Sequence, residues 1–376
     1  MATLEELRVQ LDGIDNEIAR LFEERMKVCG EVGEYKIQSG KKVLDRQREN
    51  NKLADVASKV HGEFNKKGIQ ELYTQLMSMS RKLQYQKLVE AGALGRLPFI
   101  AIESLEKEKA RVVFQGVEGA YGQAAMFNYF GESCNGFHVH TFRDAMEAIE
   151  EGSADYAVLP IENSSAGAVN EMYDLLDEFE NYIVAETIIP ITHTLAGIPG
   201  TKLEEVKCVY SKAEALMQTT HFLDEHADWQ RISVVNTAVA AAKVAAEQNK
   251  EQAAVCSAYA AKLQGLEILA DNINDEKNNS TRFVIVTNQK VYLKDANKIS
   301  ISFELPHESG SLYRILSHFI YNDLNMTKIE SRPIEGRNWE YRFFVDFEGN
   351  MEQPAVKNAL RGLREETRNL NILGNY

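Results

Sequence analysis

The first ninety or so residues contain no proline, and a single apolar stripe runs through the first third of them. Leu4, Leu7, Leu11, Ile14, Ile18, Leu21, Val28 and Val32 step by three or four with one gap of seven, which is the period of an α-helix. This spacing predicts a helix over 4–37, roughly 50 Å long, stopped by Ser39-Gly40. A stripe of that length cannot be buried inside a globule of ninety residues unless something lies alongside it. Two further helices are expected at 44–61 and 67–90.

Polar residues follow the same periodicity. Arg25 and Lys36 are eleven residues apart, so at roughly 100° per residue they share one helix face, separated by about 16 Å of rise. Two long cationic side chains over that gap can bracket a small dianion. Asp45, Arg48 and Glu49 share a face at i, i+3 and i+4, as do Ser80 and Gln84 at i and i+4. Arg8 lies about 25 Å before Arg25 and about 100° off its face. It is either a surface residue or a contributor to the site of a second, intertwined protomer. Surface charge pairing would account for Asp45 and Glu49 but not for Gln84 with Ser80.

The formal net charge of −14 argues against nucleic acid or an anionic membrane surface as the main partner. The N-terminus lacks the basic-then-apolar pattern of a signal peptide, and no run of about 18 apolar residues could span a membrane. Cys29, Cys134, Cys208 and Cys256 are scattered without a metal-binding spacing, which reads as free thiols in a reducing cytoplasm. His138 and His140 read as half-buried strand residues, and no metal site is expected.

Residues 91–110, with Gly92, Gly95 and Pro98 beside a charged run, read as a linker that packs in part. From Arg111 the period changes. Short apolar runs (RVVFQ, FHVHTF, YAVLP, CVYS, ISVVN, AAVCS, RFVIVT) alternate with helical patterns, one of them at 212–226. Such alternation indicates an α/β domain with parallel pairing, and its length indicates two lobes around a cleft. The last eighty residues read βαββαβ, the ferredoxin-like split unit. Expected domains are therefore 1–92, 110–288 and 298–376.

Three polar segments stand out in the middle region: Pro160-Ile161-Glu162-Asn163-Ser164-Ser165-Ala166-Gly167, Ser211 with Gln218, and Asn279-Ser280-Thr281-Arg282-Phe283. A strand end running into a helix offers amides and free N–H groups to an anion. A hydroxyl beside a guanidinium suits a carboxylate-bearing substrate. Gly116, Gly119 and Gly122 do not have a nucleotide-loop spacing.

The helical constellation resembles the all-α, intertwined chorismate mutase domain at Arg8, Arg25, Lys36, Asp45, Arg48, Glu49, Ser80 and Gln84. Residues from about 111 to 287 resemble prephenate dehydratase, most specifically in PIENSSAG and STRF. The C-terminal unit resembles the ACT domain, with Glu330-Ser331-Arg332-Pro333 in its ligand motif and Gly310-Ser311-Leu312 in the partner motif. The order of the three resembles the bifunctional chorismate mutase–prephenate dehydratase family.

The resemblance implies a periplasmic-binding-type two-lobed dehydratase domain, chorismate and prephenate as substrates, and phenylalanine as effector. It implies a homodimer or larger homo-oligomer and no cofactor, since the first reaction is an intramolecular rearrangement. Arg25 and a second copy's Arg8 would hold the carboxylates, with Arg48 assisting and Ser80 in support. Lys36 and Gln84 would donate to the ether oxygen, and Asp45 and Glu49 would orient the hydroxyl. Thr281 would assist the departing hydroxyl of prephenate. Arg282 would bind the carboxylate, with Glu162, Asn163, Ser164, Ser211 and Gln218 lining the cleft. Gly310, Ser311, Leu312, Asn325, Met326, Glu330, Ser331 and Arg332 would bind the effector. Departures from the family pattern are Gly122 for serine, Lys212-Ala213 for His-Pro, and Ser311 for alanine.

Overall fold

The computed structural model describes residues 2–92, 98–305 and 307–376. Gly95 of the expected linker lies outside them. The chain divides into two compact units, residues 1–98 with 301–370, and 99–300 with 371–376.

In the first unit the leading helix runs Leu4–Ser39, opened by a Thr3 capping box and closed by Gly40 at φ 66°. Helices Arg46–Ser58 and Glu63–Glu90 follow, the former capped by the Asp45 carboxylate. The third helix starts four residues earlier than the spacing predicts, at the turn made by Gly62 (φ 81°). Only Gly30 and Gly33 of the first helix are buried. A Cβ at Gly33 would stand 3.1 Å from Gln84 Cγ, so these glycines let the first and third helices approach closely. The apolar stripe itself is bare: every one of its eight residues is more than 40% exposed, from Val32 at 41% to Leu4 at 66%.

The C-terminal residues have the βαββαβ order: Lys298–Glu304, Ser311–Tyr321, Met326–Pro333, Tyr341–Glu348, Pro354–Glu366 and Arg368–Asn375. Strand Met326–Pro333 lies at the sheet edge, antiparallel to Tyr341–Glu348. Phe303, Phe319, Phe347, Val356 and Leu363 fill its core, with Phe319 and Phe347 edge-to-face at 5.1 Å.

Besides a two-stranded pair, Ile100–Ile102 with Val291–Leu293, the described residues of the second unit contribute to two larger sheets. In the first, Tyr156–Asn163 is parallel to Arg111–Gln115, which is parallel to Asn135–Val139. In the second, Gln252–Cys256, Cys208–Ser211 and Gln230–Ser233 run parallel. The expected parallel pairing holds for these strands but not throughout the domain. Ser280–Thr287 lies antiparallel to both Tyr156–Asn163 and Tyr182–Pro190. The reason is connectivity: Tyr182–Pro190 leaves the first sheet for the second, and Ser280–Thr287 brings the chain back beside it. Thr194–Gly197 is antiparallel to Gln252–Cys256 and to Glu267–Ala270, a strand the sequence pattern did not disclose.

The helix expected at 212–226 is broken into Ala213–Met217 and Thr220–Asp224. Asp275 accepts from the N–H groups of Thr220 and His221, both at 2.9 Å, and so caps a fresh helix start in mid-run. His138 and His140 are exposed rather than half-buried.

Gly374 pairs with Ile183 across the first sheet, and a Cβ at Gly374 would lie 2.1 Å from Ile183 O. That neighbour is backbone and cannot rotate away. Gly374→Ala is therefore expected to destabilise the second unit by about 2 kcal/mol or more, read as a lowered midpoint in urea unfolding. An unchanged midpoint would refute the close approach.

Candidate functional site

Two constellations form, one in each unit. In the helical part, Arg25 Nη1 donates to Ser80 Oγ at 2.5 Å and to Leu76 O at 3.1 Å. Ser80 Oγ in turn donates to Leu76 O at 2.6 Å. Lys36 Nζ donates to Val43 O at 2.7 Å, which folds the loop after the first helix back on its ammonium. Burial pulls the Lys36 ammonium below its ordinary value, and Asp45, Glu365 and Glu49 oppose that shift. Asp45 accepts from Arg48 N at 3.0 Å, so one carboxylate oxygen is committed to capping. Glu49 is half-buried and accepts from Arg81 Nη1 at 2.6 Å. Gln84 is buried, and its Oε1 has no hydrogen-bond partner among the described residues.

The structure thus joins Arg25 to Ser80, and places Lys36, Asp45, Glu49 and Gln84 on neighbouring turns of packed helices. It does not bring in Arg8, which is exposed and faces Glu5 at 3.6 Å. Arg81 is the member that spacing missed. One position after Ser80, it reads as a surface charge on a polar helix, yet it is only 5% exposed.

In the second unit the strand end Glu162-Asn163 meets the strand start Ser280-Thr281. Asn163 Oδ1 accepts from the backbone N–H groups of Ser165 (3.0 Å) and Ala166 (2.9 Å). Backbone N–H groups can only donate, so the amide orientation is fixed. Asn163 Nδ2 must then donate, and its two hydrogens are shared among Asn279 Oδ1 (2.8 Å), Thr281 Oγ1 (2.9 Å) and Ser280 O (3.1 Å). The direction propagates. Asn279 Nδ2 donates to Gln218 Oε1 at 3.0 Å, and Gln218 Nε2 donates to Ser165 Oγ at 3.3 Å. His193 Nε2 lies 3.2 Å from the same Gln218 oxygen, so it must be the protonated nitrogen there, and Nδ1 lies 3.2 Å from the Tyr121 hydroxyl. Thr281 receives a hydrogen bond, and its own proton is left to donate.

Ser165, Ala166, Gln218, Asn274 and Asn279 border a cavity of about 280 Å³. Ser164 pins the loop from behind: its Oγ accepts from Ser280 N and its N–H donates to Ser280 O, both at 2.9 Å.

Two sequence expectations change here. Arg282 follows Thr281 in a strand, so its side chain emerges on the opposite face. It lies 3.3 Å from Glu162 and 3.2 Å from Glu186, which also holds Lys298 at 2.5 Å. These carboxylates engage Arg282 and Glu162 with each other rather than with the face that carries Thr281. Ser211 is fully buried and donates to Val255 O at 2.6 Å, so its hydroxyl bridges two parallel strands inside the second sheet. His193, Tyr121 and Asn274 were missed. His193-Thr194 lies in an apolar run, and tertiary contacts with Gln218, Tyr121 and Asn274 reveal its polar environment.

In the C-terminal part, Gly310 at φ 74° starts the helix that carries Ser311 and Leu312. A cavity of about 370 Å³ beside these two is walled by Trp339, Tyr341 and Phe343. Asn325 immediately precedes the edge strand that bears Met326, Glu330, Ser331 and Arg332, with Glu330 opposite Phe344. Among the described residues, none of Asn325, Met326, Glu330, Ser331 and Arg332 lines this cavity.

Comparison with known proteins gives two family matches: "Chorismate mutase type II" over residues 7–85 and "Prephenate dehydratase" over 112–291. A bifunctional chorismate mutase/prephenate dehydratase of Aquifex aeolicus is 34% identical across 100% of this chain and 98% of its own length. One from Escherichia coli K12 is 31% identical across 98% and 95%. The solved prephenate dehydratase of Arthrobacter aurescens in complex with L-Phe is 30% identical with a TM-score of 0.65, covering 71% of this chain and 89% of that one.

Burial holds the His193 imidazole below its ordinary value, against the pull of the Gln218 hydrogen bond. As pH falls below about 6.5 the unfolded chain takes up a proton that the folded chain does not, so stability declines on acidification. His193→Gln should show a shallower decline in melting temperature between pH 7.5 and 5 than the parent. Equal slopes would mean that His193 is not held neutral by its surroundings.

Proposed function

The chain belongs to the bifunctional chorismate mutase/prephenate dehydratase family, and on that premise we propose which residues carry each reaction. The protein is an enzyme of phenylalanine biosynthesis. It rearranges chorismate to prephenate and then converts prephenate to phenylpyruvate with loss of CO2 and the ring hydroxyl.

For the first reaction the protein has to hold a compact conformer and stabilise charge growing on the ether oxygen. Arg25, steadied by Ser80 and Leu76 O, takes one carboxylate. Lys36 and Gln84 address the ether oxygen, and Asp45 and Glu49 the hydroxyl, with Arg48 in support. Arg8 of a second copy takes the remaining carboxylate, because within one helix it stands about 25 Å from Arg25. The bare leucine stripe supports that assembly: a row of exposed aliphatic side chains roughly 50 Å long is stable in water only when another apolar surface covers it.

For the second reaction, Thr281 donates to the departing hydroxyl. The observation that carries this is the fixed Asn163 amide, which makes Thr281 Oγ an acceptor on one side and leaves its proton to the substrate. Aromatisation supplies the driving force, so a weak but well-aimed donor suffices. Asn163, Ser164 and Gln218 shape the surrounding loop. Arg282 and Glu162 fix the strand pair behind it, and Ser211 ties the strand that leads to Gln218. The C-terminal βαββαβ region is an ACT-type sensor for phenylalanine, with Gly310-Ser311-Leu312 of one copy facing residues 325–332 of another. Effector binding then favours one of two states by its differential affinity.

The decisive assay is phenylpyruvate formation from chorismate, with and without phenylalanine. Lys36→Ala is expected to lower mutase turnover by about 10²-fold or more while prephenate is still converted. Thr281→Ala should give the reverse, a loss of about 10²-fold or more in dehydratase turnover with mutase retained. Loss of both activities in either variant would mark misfolding and remove the assignment. Ile14→Glu should dissociate the dimer in sedimentation and abolish mutase but not dehydratase turnover. An active monomer would exclude Arg8 from a shared site.

A further inference from the structure

Arg81 lies next to Ser80 but faces a different partner. Its guanidinium is buried between two carboxylates. Nη1 donates to Glu49 Oε1 at 2.6 Å, while Nε and Nη2 both stand 2.9 Å from Glu366 Oε1, at the end of helix Pro354–Glu366. His318 Nε2 lies 3.2 Å from that same oxygen. Room for the imidazole comes from Gly362, where a Cβ would lie 2.3 Å from His318 Cε1. The adjacent Glu365 repeats the pattern: it accepts from Tyr85 OH at 2.7 Å and from Leu44 N at 3.2 Å, one residue before Asp45. Two consecutive carboxylates of one helix thus grip the segment that carries Asp45 and Glu49, and neither lies within residues 7–85, the span matched to chorismate mutase.

We propose that Arg81 is a positioning residue of the mutase site, and that Glu366, from nearly three hundred residues further along the chain, sets its position. The proposal rests on the reading of Glu49 as the group that orients the substrate hydroxyl. A glutamate at a helix surface samples several rotamers, and a buried guanidinium allows Glu49 one of them. Arg81 makes two contacts with Glu366 and one with Glu49, so its place is dictated from the C-terminal side. Arg81, Glu49, Glu366 and Arg314 all border one cavity of about 420 Å³, and Arg314 pairs with Glu308, two residues before the Gly310-Ser311-Leu312 turn. The mutase site is therefore completed by the region that carries the candidate effector motifs.

The test is a double-mutant cycle in the full-length protein, with chorismate consumption and prephenate conversion measured separately. Glu366→Gln is expected to lower mutase kcat/KM by about tenfold, with Glu366→Asp retaining most of it and prephenate conversion unchanged within about twofold. In a Glu49→Gln background, Glu366→Gln should add less than about a twofold loss, because the group it positions is already altered. Unchanged mutase turnover in Glu366→Gln, or an undiminished penalty in the Glu49→Gln background, would overturn the proposal. If Glu366→Gln also loses prephenate conversion, the same cycle with His318→Gln, which removes the other partner of Glu366, decides by the same two criteria. Wild-type protein that leaves chorismate intact would sink the mutase reading itself, whereas active wild type with an indifferent Glu366→Gln removes only the positioning role.

Discussion

The leucine stripe on the first helix is the constraint from which most of the rest follows. Its eight apolar residues are exposed, and Arg25 and Lys36 stand in the same i+3/i+4 row, Arg25 filling the gap between Leu21 and Val28, while the buried Gly30 and Gly33 meet the third helix. Apolar area of this extent outweighs any single polar contact in the molecule. On the proposed reading the helix is shared, and a shared helix would divide its polar residues between two sites. The distance between Arg8 and Arg25, which looks like a defect within one chain, is then the geometry that a two-fold assembly requires.

The second unit solves a different problem. The proposed role of Thr281 asks for a weak acid with a fixed aim, and that aim comes from donors that cannot reverse. The N–H groups of Ser165 and Ala166 orient Asn163, Asn163 orients Thr281 and Asn279, and Asn279 orients Gln218. Each side-chain amide could flip if it stood alone. Anchored to backbone, the chain has one direction, and a flip would bury donors against donors along its length.

Local periodicity disclosed the elements well because each helix has a strong stripe or a clear cap. The leading helix was expected over 4–37 and is found at Leu4–Ser39. Periodicity failed where a distant group intervenes. Asp275 breaks the run at 219, and the antiparallel strand Glu267–Ala270 is too short to have a pattern. The site residues were legible as types and spacings, but their commitments were not. Ser211 and Arg282 are polar residues at plausible positions, and only tertiary partners show that one closes a sheet and the other balances two carboxylates. Arg81 shows the converse, a residue silent in sequence because its partners, Glu49 and Glu366, lie 32 and 285 positions away.

Gly374 opposite Ile183, and Tyr376 paired in both directions with Lys298, put the finishing strand of the middle sheet far along the chain from the strands it joins. Such pairings raise contact order and slow folding. Synthesis proceeds from the N-terminus, so residues 99–300 emerge from the ribosome with the Tyr182–Pro190 edge of their sheet uncovered, and it stays so until the segment around 374 follows. During that interval the open edge is a template for any other extended chain. That edge stays open for the time it takes to translate about seventy more residues, because residues 301–370 come between two parts of one sheet in chain order.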